Sequence, residues 1–403
     1  MITKVSNHSE DAASLTERAR NVLPGGITRS TVYVPPHPPY AATGSGALVQ
    51  DVSGHVLVDC NNNYTSLIHG HSSRQEIVEA AVSATRSGTA FGLPTRHEVD
   101  FAEYLAARTG VEKWRFCNSG TEAVLMMLRA ARAFTQRDTI IRFAGSYHGT
   151  GDEVVDPKAA GVPKWVEESV LVVPQGDLDA LKDALREHGN RVAAVLIDLM
   201  PNRAGLNPAT REFVQELRAL TRRYGVLLAI DEVISFRLSW GGFHQHYGVE
   251  PDLISTGKII GGGFPVGAVG GKAGFLREFD PARAGAVMWG GTFSANPVTM
   301  VAGLTALRLF DQDAISALNA KGESMRGDLE AAGVRVNGFG SLLRIMTSDT
   351  KALWWSLYER GVLAGSNGLL ALSTAMNDKH LSHVIEAVAE GARNVGDTGT
   401  PEQ

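Results

Sequence analysis

The sequence predicts an α/β fold, with one large domain built on a mainly parallel sheet and a smaller α+β domain beside it. Three observations carry that prediction. From Trp114 onward, short apolar runs recur that are nearly continuous rather than alternating, as strands buried on both faces require. Between several of them lie patterns of helical period, such as Thr121–Thr135 and Ala209–Tyr224, which gives the alternation of a sheet covered on both sides. Glycine contributes 44 of the 403 residues and shows no period, as many tight loops and close backbone approaches demand.

The elements follow in chain order. Ser9–Asn21 has amphipathic helical spacing and is stopped by Pro24-Gly25-Gly26. The proline-rich stretch Val32–Tyr40 must be extended and irregular, because proline fixes φ and lacks a donor. Ala47–Asp59 alternates around Ser53-Gly54 and predicts a β-hairpin. The apolar runs are Trp114–Cys117, Thr139–Phe143, Val170–Val173, Val192–Ile197, Val226–Ile230 and Val266–Val269. After Pro297 comes a long helical stretch, then a weaker α+β pattern to about Val395 and a polar tail. No repeat or low-complexity linker interrupts the chain. The expected division is an N-terminal segment, 1–50, packing with the small domain, a large domain, 51–299, and a C-terminal small domain, 300–403.

Composition removes several function classes. The formal net charge of −5 supplies no field for tracking phosphates, so no nucleic-acid partner is expected. Apolar residues at 44% and charged residues at 20% are ordinary globular values, which excludes wholesale disorder. No apolar run is long enough to span a bilayer, and Met1–Glu17 has no signal-peptide core. Cys60 and Cys117 lack ligand-spaced partners and read as buried thiols. A soluble, cytoplasmic small-molecule enzyme is expected.

Four constellations could carry chemistry. Asn118-Ser119-Gly120-Thr121-Glu122 follows a strand and opens a helix, with Ser119 and Glu122 spaced as a capping box. Free amides, two hydroxyls and a positive dipole end suit a phosphate there, although an ordinary helix cap reads the same way. Asp231-Glu232 closes an apolar strand, where ligands of open α/β sheets bind; a strand-end cap is the plainer reading. Lys258 sits in "STGKIIGGG", surroundings wrong for a solvated face, and desolvation lowers an amine's pKa and makes it nucleophilic. That glycine run has neither Walker nor dinucleotide-fingerprint spacing. Tyr147-His148 lies between glycines after the strand ending at Phe143, able to lay a ring against a flat ligand or simply to form a turn. His69, His71, His244 and His246 find no third metal ligand at suitable spacing, so no metal site is expected.

Together the four are the parts that pyridoxal 5′-phosphate needs: a phosphate cradle, a stacking ring, a carboxylate for the pyridine nitrogen and an amine for the aldehyde. A sugar- or nucleotide-binding protein would need neither Asp231 nor Lys258. With "NSGTEA", "YHG", "LLAIDEV", "PDLISTGKIIGGGFPVGAVGG" and "GTFSANP", the chain resembles the class III (subgroup II) aminotransferases of fold type I, from Leu23 to about Gly391.

The resemblance implies a pyridoxal-phosphate enzyme with a mainly parallel seven-stranded sheet. It implies that Lys258 carries the cofactor and shuttles the proton, and that Asp231 pairs with the pyridine nitrogen, with Val233 packing beneath the ring. Ser119, Gly120 and Thr121 would hold the phosphate, with Thr292 completing the cradle from the other subunit of a homodimer. Tyr147 would stack on the ring with His148 beside it. "PGGITRSTVY" is similar to the segment that supplies a carboxylate-binding arginine, here Arg29, in β-amino-acid aminotransferases and glutamate-1-semialdehyde aminomutases. "AFGLPTRHEV" and "ISFRLS" lean toward the mutases. Thr150–Trp165 looks too short for their gating loop, and "NNNYTSLIHGHSS" and "VLAGSNGLLALS" resemble the transaminases. Two departures stand out: Asp198 replaces the usual Glu, and Ser366-Asn367 stands where a second arginine is implied. The resemblance thus favours ping-pong transfer between a β-amino acid and a keto acid, with the aminomutase reaction as the alternative.

Overall fold

The computed structural model of the chain describes residues 11–395. Seven strands form the central sheet in the order Lys113–Cys117, Gly267–Gly271, Leu253–Gly257, Leu227–Asp231, Val192–Ile197, Thr139–Phe143 and Val170–Val173. Gly267–Gly271 runs antiparallel to both neighbours, and the remaining neighbours pair in parallel. Each of the six apolar runs lies on one of these strands: Thr139–Phe143, Val170–Val173 and Val192–Ile197 match at both ends, and the other three are shifted by one or two residues. The seventh strand, Leu253–Gly257, does not read as an apolar run, because Ser255 and Thr256 are polar although both are wholly buried.

Alternating strand residues feed two separate cores, as the period of two requires. Ile140, Ala194, Leu196 and Ala229 meet helix Gly120–Thr135, which buries Val124, Met127, Leu128 and Ala131. Ile141, Val195, Ile197 and Leu228 face helices Leu178–His188 and Arg211–Tyr224, with Leu181, Leu185, Phe213 and Leu217 between. The second helix starts at Arg211, not Ala209, because the Thr210 hydroxyl caps it by accepting from Phe213 N at 3.2 Å.

The first helix spans Ala12–Val22 and is capped by Asp11, whose carboxylate accepts from Ser14 N at 2.8 Å. The expected start at Ser9 lies outside the described residues. The hairpin forms from Leu48–Asp51 and Val56–Asp59, and Asp51 holds its turn by accepting from Ser53 N and His55 N. Val56–Asp59 also pairs in parallel with Val362–Leu363, so N- and C-terminal segments share one four-stranded sheet. The expected boundary after residue 50 falls inside this sheet, since a hairpin's second strand stays paired with its first.

The long helical stretch after Pro297 is two helices, Pro297–Leu309 and Gln312–Ala331, separated where Asp311 caps the second by accepting from Ala314 N at 2.8 Å. Beyond it, Val336–Phe339, Leu342–Ile345 and Leu369–Ala371 make an antiparallel sheet, and Asp378–Asn394 closes the described chain. No helix among the described residues is long and apolar enough to cross a membrane.

Candidate active site

At the carboxyl ends of the sheet strands lies a cavity of about 540 Å³. Arg29, Ser119, Gly120, Thr121, Tyr147, His148, Asp231, Val233 and Lys258 all line it. These residues come from separate stretches of the chain, and the crevice at the strand ends is what gathers them.

Ser119 caps helix Gly120–Thr135, its hydroxyl accepting from Glu122 N at 3.1 Å. The reciprocal bond expected of Glu122 goes one residue earlier, to Asn118 N at 2.9 Å. The amides of Gly120 and Thr121 keep no acceptor among the described residues, so the helix start offers free donors to an anion. A Cβ at Gly120 would stand 2.9 Å from Val233 Cγ1, and one at Gly149 would stand 2.6 Å from Thr121 Oγ1. Glycine at both positions lets the helix start, Val233 and the Tyr147 loop close together around one small volume.

Asp231 ends strand Leu227–Asp231 and is 5% exposed. Its Oδ1 accepts from Ser255 Oγ at 2.9 Å and from Val233 N at 3.1 Å. Its Oδ2 lies 2.7 Å from His148 Nδ1, while the buried His148 Nε2 has no partner. Glu232, one residue on, turns away: its carboxylate accepts from the backbone of Phe243 and His244 and from His244 Nδ1. Only Asp231 of the acidic pair serves the cavity. His69 is likewise occupied, between Thr374 Oγ1 and Ala306 O, and His71 reaches Asp59 at 2.7 Å.

Lys258 follows strand Leu253–Gly257 with φ +50°. Its Nζ donates to Tyr64 O at 2.7 Å. Desolvation lowers its pKa to about 8, against the opposing pull of Asp231 and Asp198. Asp198, buried on the same cavity, is pushed up to about 7, by desolvation first and the Asp231 charge second. Asp198 therefore gives the cavity a carboxyl group that holds a proton up to about neutrality.

The backbone acceptor for Lys258 comes from a segment whose part the sequence did not reveal. Asn62, Asn63, Tyr64 and Thr65 have φ of 48°, 50°, 54° and 75°, a complete left-handed turn without glycine. Each such residue costs roughly 1–2 kcal/mol, and a strained run of this kind persists only where its surroundings hold it. Here Asn62 Nδ2 donates to Ala371 O at 2.7 Å, the Tyr64 hydroxyl donates to Thr31 O, and Asn63 Oδ1 accepts from Arg29 Nη1 at 2.8 Å. One turn thus touches both Lys258 and Arg29. The tolerance of asparagine for left-handed φ, with three in a row at 61–63, is the available sequence signal.

Tyr147 is 41% exposed, and the Arg203 guanidinium carbon stands 3.9 Å from its ring centroid. Thr292 is exposed and is not part of the lining of this cavity. Asn367 is also outside it, donating to Asn202 Oδ1 at 3.2 Å.

The donor set fits pyridoxal phosphate: free amides at a helix start, a buried carboxylate with an ordered partner set, and a poorly solvated amine on one cavity. Comparison with known proteins agrees. The chain is 41% identical to an omega-transaminase from Sphaerobacter thermophilus, with a TM-score of 0.92, covering 96% of this chain and 98% of that one. A transaminase solved with pyridoxal phosphate bound is 39% identical, at TM-score 0.92, over 95% and 97% of the two chains. A β-phenylalanine aminotransferase from Variovorax paradoxus is 32% identical, at TM-score 0.90, over 96% and 94%. Among curated relatives, a glutamate-1-semialdehyde 2,1-aminomutase of Methanothermobacter thermautotrophicus is 36% identical, covering 93% of this chain and 97% of its own. That alignment runs over 411 positions, more than the 403 residues here, so the mutase carries residues this chain lacks. The family model for class-III aminotransferases matches residues 33–389. The chain therefore belongs to the class-III aminotransferases, a family of enzymes dependent on pyridoxal phosphate.

Proposed function

We propose that the protein is a homodimeric transaminase moving an amino group from a β-amino acid to a keto acid by ping-pong turnover. The observation that carries this reading is Arg29 on the same cavity as Lys258, with its guanidinium held by the neutral Asn63 rather than by a carboxylate. It is available to grip a substrate carboxylate, which guanidinium does in two-pronged fashion. The transaminases at 41% and 32% identity support the reaction class, and the second of them supports the β-amino acid. Thr150–Trp165 holds the short 3₁₀ turn Asp152–Val154 and further turns, such as that closed by Ala159 N on Asp156 O, with no longer helix or strand. The aminomutase reaction is the second reading, favoured by the 36% identical curated relative.

In this reading each residue has a task. Bound, the cofactor supplies an electron sink for the bond broken at the substrate carbon. Asp231, fixed by Ser255, Val233 N and His148, would hold the proton on the pyridine nitrogen. The amides of Gly120 and Thr121, with Ser119, would take the phosphate, and Val233 and Tyr147 would pack against the ring. Lys258 would hold the aldehyde, and its Nζ would carry the substrate proton.

β-Phenylalanine added to the holoenzyme should remove the near-visible band of the aldehyde form, and a keto acid should restore it. Arg29→Ala should raise KM for carboxylate substrates roughly thirtyfold, about 2 kcal/mol, for loss of a charge-assisted pair. Isomerisation of glutamate-1-semialdehyde without any acceptor, with β-amino acids inert, would establish the mutase instead.

The dimer rests on Thr292, exposed between the bare apolar side chains Met288 and Phe293, which are 81% and 59% exposed. If Thr292 reaches the partner's phosphate cradle, mixing Lys258→Ala with Thr292→Ala chains should rebuild one intact site per mixed dimer. Activity of the re-equilibrated mixture above that of the two parents is expected. No gain, or a fully active monomer, removes the shared site.

A further inference from the structure

The left-handed turn Asn62–Thr65 is entered over one carboxylate, Asp59, which ends strand Val56–Asp59 and is 2% exposed. Asp59 Oδ1 accepts from Asn61 N at 2.9 Å and from Asn62 N at 2.8 Å, the two amides that lead into the turn. Its Oδ2 meets His71 Nε2 at 2.7 Å. His71 is itself fixed, its amide donating to Gly46 O at 2.8 Å and its carbonyl accepting from Gly46 N at 2.7 Å. Within the turn, Asn61 Oδ1 accepts from Tyr64 N at 2.6 Å.

The base under the turn is rigid. Strand Val56–Asp59 pairs antiparallel with Leu48–Asp51 and parallel with Val362–Leu363, and Leu363 stands opposite Asp59 itself. A run of left-handed residues persists only where its surroundings hold it, so side-chain acceptors for its amides decide whether it keeps its shape. The same turn presents Tyr64 O to Lys258 Nζ at 2.7 Å and Asn63 Oδ1 to Arg29 Nη1 at 2.8 Å.

We propose that Asp59, clamped by His71, is a positioning residue that sets the Lys258 amine and the Arg29 guanidinium together through the turn Asn62–Thr65. The proposal rests on the roles of those two cations in the transaminase reading and adds what orients them. Tyr64 O gives the amine an acceptor whenever it is not bonded to the cofactor, and Asn63 aims the guanidinium at the same cavity. Loosening the turn displaces both groups, and a misplacement of about 1 Å can cost up to a hundredfold.

Two measurements that require no turnover test this. One is the rate at which cofactor-free protein captures pyridoxal 5′-phosphate, followed by the near-visible band that borohydride bleaches. The other is calorimetric titration of the holoenzyme with 3-phenylpropionate, the skeleton of β-phenylalanine without its amine. Asp59→Ala should slow capture and weaken 3-phenylpropionate, each roughly tenfold. Asp59→Asn should stay within about threefold of wild type in both, because its amide oxygen still accepts from Asn61 N and Asn62 N. In an Arg29→Ala background, Asp59→Ala should cost no further 3-phenylpropionate affinity yet still slow capture roughly tenfold, which a general loosening of the fold would not produce. If Asp59→Ala does not fold, Asn61→Ala removes the acceptor for Tyr64 N and should slow capture roughly threefold. Capture at the wild-type rate in either folded variant overturns the proposal, as does a loss of affinity in Asp59→Ala that adds in full to that of Arg29→Ala. Unchanged affinity in Arg29→Ala alone, or failure of β-phenylalanine to convert the cofactor, refutes the transaminase reading instead, and the capture rate still decides for Asp59.

Discussion

Lys258→Ala should lose essentially all turnover, by roughly 10⁴-fold or more, while folding normally. In the proposed mechanism two functions would go with one amine: covalent attachment of the cofactor and carriage of the substrate proton. The fold survives because the Nζ makes a single hydrogen bond, to Tyr64 O, and the left-handed turn keeps its anchors at Ala371 and Thr31. Borohydride should then fail to fix the cofactor to the variant, although the phosphate cradle is intact. The wild-type amine carries a matching pH signature. Burial lowers its pKa to about 8. The neutral, nucleophilic form gains as pH rises, so capture of the aldehyde by cofactor-free protein should accelerate through pH 7 and level off above about 8. An ordinary surface lysine would keep gaining to beyond pH 10. Near-normal transamination by Lys258→Ala, or a capture rate still climbing at pH 10, removes Lys258 from its role.

The site was legible where chemistry forces a residue type at a strand or helix end. Asp231 and the Ser119–Thr121 start could be picked out because each lies where an apolar run ends, and Lys258 because its apolar and glycine neighbours do not suit a solvated face. What stayed hidden depends on contacts between distant parts of the chain. Ser255 reads as a polar break in a weak run, and only the fold shows it wholly buried against Asp231. Asn63 and Tyr64 act through backbone twist, which leaves no periodic trace. His148 was picked out only as a neighbour of Tyr147, and the contact of its Nδ1 with Asp231, 83 residues away in sequence, is visible only in the fold. The fold followed the same rule: strands with continuous apolar runs were visible, and Leu253–Gly257 was not, because burial there is achieved with Ser and Thr.

Asp231→Asn tests the other half of the chemistry and should cost roughly a hundredfold or more in rate, about 3 kcal/mol of barrier. The isosteric amide retains the shape of the side chain, and its oxygen can still accept from Ser255 Oγ and Val233 N. What it cannot supply is a negative charge to hold a proton on the pyridine nitrogen, and without that proton the ring draws electrons poorly. The amide nitrogen would face His148 Nδ1, now 2.7 Å from Oδ2, and the imidazole can turn acceptor there by moving its proton to Nε2. That Nε2 is buried and without a partner, so the protonated tautomer gains no new bond, and a modest loss of stability accompanies the loss of rate. Cofactor should still bind through Lys258 and the helix start, which separates an electronic defect from an empty site. Ser255→Ala supplies the control: removing one donor to Oδ1 leaves the charge in place and should slow turnover far less than Asp231→Asn. If Asp231→Asn runs within a few-fold of the wild-type rate with its cofactor bound, the carboxylate is only a cap on the end of its strand.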